Sequence, residues 1–187
     1  MIKPYLLVVT GRPGSGKTTF SKKLSSELYL PLISRDEIKE GYVNTFQKRH
    51  SELPDDTNKV VTDIFFATVK NLLDSNVSLI AEAAFQHKVW ESKLEALKSK
   101  AKIFMLICKV EDEIAQKRYI SRGLDNPMRE YFHGDEGVDL TRKGYKAEVK
   151  PYGEPRLDVP TFFIDTTNDY SPSIDELRLK IFKVIQE

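Results

Sequence analysis

The segment that most constrains this chain is Gly11-Arg12-Pro13-Gly14-Ser15-Gly16-Lys17-Thr18, which satisfies G-x-x-x-x-G-K-[ST] at every fixed position. It stands between an apolar run, Tyr5 to Thr10, and a stretch in which Phe20, Leu24 and Leu28 recur about one helical turn apart. Strand, tight glycine loop and helix, in that order, is the context this pattern requires. Glycines let the backbone wrap closely around an anion, and successive N–H groups at the helix start turn positive dipole toward it. The lysine then reaches the β- and γ-phosphates of a nucleotide, and the hydroxyl after it suits Mg²⁺. The segment Gly11 to Thr18, with Thr19 beside it, is therefore expected to bind ATP or GTP, with Thr18 as the metal ligand.

Beyond the loop, short apolar runs alternate with helix-period stretches. Pro31 to Ser34, Val77 to Ala81, Lys102 to Cys108 and Thr161 to Ile164 read as four more strands. Between them lie stripes at helical spacing: Val60, Ile64, Val69, Leu72 and Leu73, then Trp90, Leu94 and Leu97. Ser34 and Glu37 read as a capping box at a helix start, and Gly123 as the residue just past the end of a helix from Asp112 to about Arg122. Ser171 to Gln186 reads as a last helix with Pro172 near its first turn and Ile174, Leu177, Ile181 and Ile185 on one face. Such alternation predicts an α/β fold of three layers, with a five-stranded parallel sheet and ligands at the strands' carboxyl ends. At 187 residues, one domain over 1–187 is expected. Leu124 to Pro160 breaks the alternation, with four of the nine prolines and no strand pattern, and reads as a lid or binding loop over about 123–160, or else as a disordered stretch.

Composition narrows the function classes. Lys plus Arg number 29 against 28 Asp plus Glu, a net of +1, which leaves no broad basic face for general adhesion to nucleic acid or membranes. The single cysteine, Cys108, closes no internal disulfide, and its apolar surroundings read as a buried thiol rather than a nucleophile. Tyr5 to Val9 is far short of the ~20 residues of a membrane span. A cytoplasmic protein is expected. His50, His87 and His133 show no metal-ligand spacing, so no zinc site is expected.

Ser34-Arg35-Asp36-Glu37-Ile38-Lys39 directly follows the second strand, so its side chains face the same crevice as Lys17. Asp36 either takes the proton of an acceptor hydroxyl, or is a first-turn carboxylate that complements the helix dipole. With the loop GRPGSGKT and the segment SRDE, the sequence resembles the small P-loop kinases, among them the kinase half of phage polynucleotide 5′-kinase, zeta toxins and chloramphenicol phosphotransferase. The resemblance implies that Asp36 is the base toward the acceptor hydroxyl. Lys117 to Gly123 is similar to the R-x-x-x-R-G stretch that opens the lid of these kinases, which gives Arg118 and Arg122 the role of contacting ATP phosphates and stabilising charge on the transferring group. Ile164-Asp165-Thr166-Thr167 resembles the segment that passes the adenine in that group, or is simply a strand-end turn.

Acceptor-side candidates are Arg35, Lys39, Glu82 and Arg129. Glu82 ends the third strand and either holds Mg²⁺ through water, helps place the acceptor, or is a structural acid, since Glu-Ala-Ala-Phe-Gln departs from the usual acidic pattern. Tyr131, His133, Arg142, Lys143, Tyr145 and Lys146 add donors and aromatic surface in the long segment. That segment carries six basic against eight acidic side chains, a net of minus two, which offers no funnel for a polynucleotide. The expected activity is transfer of the γ-phosphoryl of ATP, with Mg²⁺, to a hydroxyl of a small acceptor, whether metabolite, antibiotic or toxin target. A polynucleotide 5′-hydroxyl kinase and a non-catalytic ATP-dependent module are the alternatives.

Overall fold

The computed structural model describes residues 3–126, 128–134, 136–145 and 151–186. Strands β1 (Tyr5–Thr10), β2 (Leu32–Ser34), β3 (Leu79–Glu82), β4 (Lys102–Lys109) and β5 (Thr161–Asp165) form one parallel sheet in the order β2-β3-β1-β4-β5. The helices are α1 (Lys17–Leu28), α2 (Arg35–Phe46), α3 (Thr57–Asp74), α4 (His87–Leu94), α5 (Asp112–Asp125), α6 (Met128–His133), α7 (Glu136–Arg142) and α8 (Ile174–Gln186). No helix among the described residues is long and apolar enough to cross a membrane.

The unbroken apolar runs of β1 and β4 follow from burial on both faces. Leu6 and Val8, with Ile103, Met105 and Ile107, face the side covered by Phe65, Val69 and Leu73 of α3 and Trp90 and Leu94 of α4. Leu7 and Val9, with Phe104, Leu106 and Cys108, face Phe20 and Leu24 of α1 and Leu177 and Ile181 of α8. These are the three expected layers. The buried face of α3 differs from the expected stripe: Val61, Phe65 and Phe66 turn inward with Val69 and Leu73, while Ile64 is 39% exposed. The aromatic residues fill more core volume per turn, so packing overrode the simple spacing of the aliphatics.

Other boundaries shift for local reasons. Ser34 stands at the start of α2 but makes no capping bond, because its hydroxyl donates to Glu82 across the sheet. The capping box forms instead at α8, where the Glu176 carboxylate accepts from the Ser173 N–H at 2.8 Å and the Glu176 N–H reaches the Ser173 hydroxyl. Pro172 precedes that helix rather than sitting in it. β3 begins at Leu79 and extends to Glu82. The side chain of Ile185 lies outside the described residues, as do Lys146 and its neighbours to 150.

Among the described residues of 124–160 the chain forms α6 and α7, and α7 packs on α5. Gly123 does not end α5. It lies inside the helix, buried, where an added Cβ would stand 2.4 Å from Cγ2 of Val138 on α7. Its missing side chain is what lets α7 dock. Gly123→Ala is therefore expected to lose up to about 2 kcal/mol, overpacking of about 1–3 kcal/mol less the gain in helix propensity. Val138→Ala in the same chain should recover part of that loss, read as a coupling in a urea-unfolding double-mutant cycle. A more stable Gly123→Ala single variant would contradict this packing.

Candidate nucleotide and acceptor site

Parallel strands deliver their carboxyl ends to one rim, and the sheet register sets Val9 beside Glu82 and Glu82 beside Ser34 there. The order reverses about β1, the place where open α/β sheets bind ligands. From that rim the chain turns through Gly11 to Gly16 into α1. Gly11 has φ +150°, and a Cβ on it would come within 2.6 Å of the Cys108 carbonyl oxygen; Gly14, at φ +82°, would meet the Ala115 carbonyl oxygen at 1.9 Å. The loop is thus seated on the end of β4 and the first turn of α5 with no room for side chains.

Inside the loop, the Ser15 hydroxyl is buried and has no hydrogen-bond partner among the described residues. Lys17, only 6% exposed, stands at the first position of α1. An orphaned donor and a buried cation under a helix N-terminus suit an oxyanion such as a phosphate. Thr166, which follows β5, donates its hydroxyl to the Ser15 carbonyl at 2.6 Å and bonds the Lys109 carbonyl at 3.0 Å, so it braces the loop. The Arg118 guanidinium donates to the carbonyls of Thr166 and Thr167 at 3.0 and 2.5 Å. It lies 3.9 Å from where a Gly16 Cβ would stand, hence against the loop. Arg122 sits one turn further along α5 and is exposed. Arg12 pairs with Asp112 at the start of α5, while Pro13 and Thr19 are exposed at the loop's crown and in the first turn of α1.

Glu82 is 2% exposed, and its carboxylate accepts from the Ser34 hydroxyl at 2.8 Å and from Thr18 Oγ1 at 3.5 Å. This acid and hydroxyl are the pair that can hold Mg²⁺ through an intervening water. No group of three or more metal-type side chains occurs among the described residues. Burial raises the Glu82 pKa, Lys17 and the Ser34 hydroxyl oppose that, and Asp36 and Glu37 add to it.

Across the crevice, Asp36 opens α2 with its side chain 47% exposed. Burial pushes its pKa up, but His133, Lys17, Arg35 and Arg129 together outweigh that and hold it below the ordinary value. Arg35 donates to Asn58 Oδ1 at 2.8 Å and lies 3.5 Å from Asp36 Oδ1. Lys39 is buried on the same face of α2, one turn on. The helix α6 packs on α2 and on the 3-10 turn His50–Glu52, which brings Arg129 and His133 to this side. His133 Nε2 is 3.0 Å from Glu40 Oε1.

Sequence reasoning missed three contributors. Thr10, read only as a strand end, donates to the Ala83 carbonyl at 2.8 Å and accepts from the indole N–H of Trp90 at 3.0 Å. Trp90 packs in the core as expected, yet its polar edge ties the loop's root to α4. Tyr152 closes the group, with its hydroxyl 3.2 Å from Thr10 Oγ1 and 3.3 Å from the Phe85 carbonyl. Tyr152 lies in a stretch without periodicity, so no sequence signal marks it. The lone Cys108 is buried, and burial pushes its thiol up to about 12, as an inert core thiol requires.

The raised Glu82 pKa has a signed consequence. A carboxyl that is more basic in the folded chain than in the unfolded one contributes stability that is present at low pH and lost as pH rises through the folded value. Melting temperatures of the unliganded protein should therefore fall relative to those of Glu82→Gln as pH climbs from about 4. Parallel curves for the two proteins would contradict the assignment.

No curated protein matches this chain. Solved structures do match. A protein from Chloroflexus aurantiacus provisionally described as a kinase aligns with TM-score 0.76 at 23% identity, over 97% of this chain and 98% of that one. The Mycobacterium tuberculosis APS kinase CysC, solved with AMPPNP and APS, aligns with TM-score 0.60 at 13% identity over the full length of both chains. A gluconokinase from Sinorhizobium meliloti aligns with TM-score 0.57 at 14% identity, over 99% and 95% of the two chains. At such identities the likeness is one of fold, and the fold is that of P-loop kinases. A family model described as "AAA domain" matches residues 6–140, most of the sheet with the loop, the α2 acids and α5, and by that match the chain belongs to this family of P-loop proteins.

Proposed function

We propose that the protein transfers the γ-phosphoryl group of ATP to a hydroxyl of a small acceptor. The observation that carries this reading is Asp36, a carboxylate held ionised on the rim that also presents Lys17 and the phosphate loop. A nucleotide-binding module without turnover needs the loop but has no use for such a group. The neighbours agree with the reading, since one is an APS kinase and another a gluconokinase.

Gly11 to Thr18 cradle the triphosphate, with Lys17 on the outer phosphates. Arg118 serves as a fixed cation beside the loop, and Arg122 acts on the transferring group from the next turn of α5. Thr18 and Glu82 would hold Mg²⁺, which would supply charge neutralisation at the phosphates. Asp36 orients the acceptor hydroxyl and takes its proton as the acceptor oxygen bonds to the γ-phosphorus. The bond from that phosphorus to the leaving ADP oxygen breaks in the same step. We read 1–187 as one domain in which 123–160 covers the acceptor and excludes water. The cell's ATP pool and an unpaired cysteine suit the cytoplasm. An RNA repair complex containing Pnkp1 aligns with TM-score 0.57, over 84% of this chain but 51% of that one, and represents the polynucleotide alternative. The net negative charge of the 124–160 segment favours a small acceptor over a strand.

The test is label transfer from γ-labelled ATP with Mg²⁺ to a panel of hydroxyl metabolites, antibiotics and 5′-hydroxyl oligonucleotides. Asp36→Asn should lower turnover about 10²–10⁴-fold with AMPPNP affinity, measured by calorimetry, essentially unchanged. Lys17→Ala should instead lose nucleotide affinity. Unaltered turnover in Asp36→Asn would remove the kinase reading.

A further inference from the structure

Thr10, the last residue of β1 and completely buried, is the root from which the phosphate loop leaves the sheet. Its hydroxyl has a single proton, and that proton goes to the Ala83 carbonyl at 2.8 Å. The indole N–H of Trp90 can only donate, and it occupies one lone pair of the same oxygen at 3.0 Å. In the 3.2 Å contact between Thr10 Oγ1 and the Tyr152 hydroxyl, Tyr152 is therefore the donor. The Phe85 carbonyl, 3.3 Å away, shares that proton. Burial raises the Tyr152 pKa, and Thr10 and the Gly11 backbone only partly offset it, so the phenol keeps the proton this arrangement uses.

Tyr152 comes from the stretch between α7 and β5, which is fastened by contacts of its own. The His87 N–H donates to the Gly153 carbonyl at 2.9 Å, and the Arg156 N–H to His87 Nδ1 at 3.2 Å. Glu154 pairs with Lys109 at the end of β4, and Leu157 and Val159 pack against the core cluster that holds Phe65 and Trp90. The segment is thus seated by groups other than the Tyr152 hydroxyl. What the hydroxyl adds is a bond to the residue from which the loop starts.

Resting on the reading of Gly11 to Thr18 as a cradle for nucleotide phosphates, we propose that Tyr152 is a positioning residue of this site: by holding Thr10, its hydroxyl fixes how Gly11 leaves β1 and keeps the loop's N–H groups aimed at the phosphates. Thr166 braces the far side of the loop through the Ser15 carbonyl, and Tyr152 braces the near side. A loop held at both ends meets an anion without first having to be ordered, which is how preorganisation gains affinity.

The experiment starts from Tyr152→Phe, which removes the hydroxyl and keeps the ring. Binding of AMPPNP with Mg²⁺, measured by calorimetry, is expected to weaken roughly five- to tenfold, the scale of one hydrogen bond. In label transfer the KM for ATP should rise by a similar factor, with the KM for the hydroxyl acceptor unchanged. Thr10→Val should weaken AMPPNP binding as well, and adding Tyr152→Phe to it should cost no further affinity, since the route through Thr10 is already cut. Glu154→Gln, which releases the same segment at its partly exposed ion pair, should bind AMPPNP as wild type does.

Equal AMPPNP affinity in wild type and Tyr152→Phe would overturn the proposal, and a lowered melting temperature alone would mark the hydroxyl as merely structural. Equal losses in Glu154→Gln and Tyr152→Phe would assign the effect to seating of the segment and overturn it too, as would additive losses in the double variant or a rise confined to the acceptor KM. The expected pattern of AMPPNP binding without transfer to any hydroxyl would support Tyr152 and count against the kinase reading. A wild type that binds no nucleotide would overturn both.

Discussion

The close seating of the phosphate loop on its neighbours is the constraint on which the rest of this molecule depends. Gly11 lies against the Cys108 carbonyl and Gly14 against the Ala115 carbonyl, so the loop's path is fixed jointly by β1, β4 and the first turn of α5. Thr166 adds β5, Trp90 adds α4 through Thr10, and Tyr152 adds the segment that follows α7. The loop is therefore a junction on which β1, β4, α5 and the residue after β5 converge directly, and α4 and Tyr152 through Thr10. Its backbone groups can be aimed in advance at an anion because none is free to relax, and preorganised dipoles of that kind act without reorganising during a reaction.

Charge is distributed on the same plan. With a net of +1 the chain has no general attraction for polyanions, yet Lys17, Arg35, Arg129 and His133 all lie near enough to Asp36 to lower its pKa. Two carboxylates inside that field respond in opposite ways. Glu82 is almost completely enclosed, so desolvation dominates and its proton is held more tightly. Asp36 is half open; burial is still the largest single influence on it, but His133, Lys17, Arg35 and Arg129 together outweigh that and its proton leaves more readily. Two acids on neighbouring strand ends thereby differ in how readily each ionises.

Much of this was legible in the residues. Five strands, their parallel order and the loop were readable because burial on both faces of β1 and β4 demands continuous apolar runs, and because the loop's glycines and lysine stand at fixed spacing. The buried stripe of α8 was readable for the same reason of period. The misreadings share one cause. Ser34 and Glu37 fit a capping box, but a buried carboxylate on the adjacent strand competed for the hydroxyl. Gly123 fits a helix terminator, but α7 required a surface without a side chain. Ile64 fits the apolar stripe of α3, but Phe65 and Phe66 occupied the core. In each case a partner distant in sequence outweighed a preference carried by near neighbours.

What the sequence determined by itself was therefore local and periodic: the strand and helix order, the loop with Lys17 and Thr18, and the position of Asp36 just past the second strand. Only the tertiary structure decided which side chains meet across the crevice. Glu82 between Ser34 and Thr18, Tyr152 on Thr10, Arg118 on the Thr166 and Thr167 carbonyls, and His50 beside Gly134 join residues separated by about 50 to 140 positions. Such contacts carry no spacing rule, because they are fixed by strand register and by how short helices dock, and those follow from packing of the whole chain rather than from any segment of it.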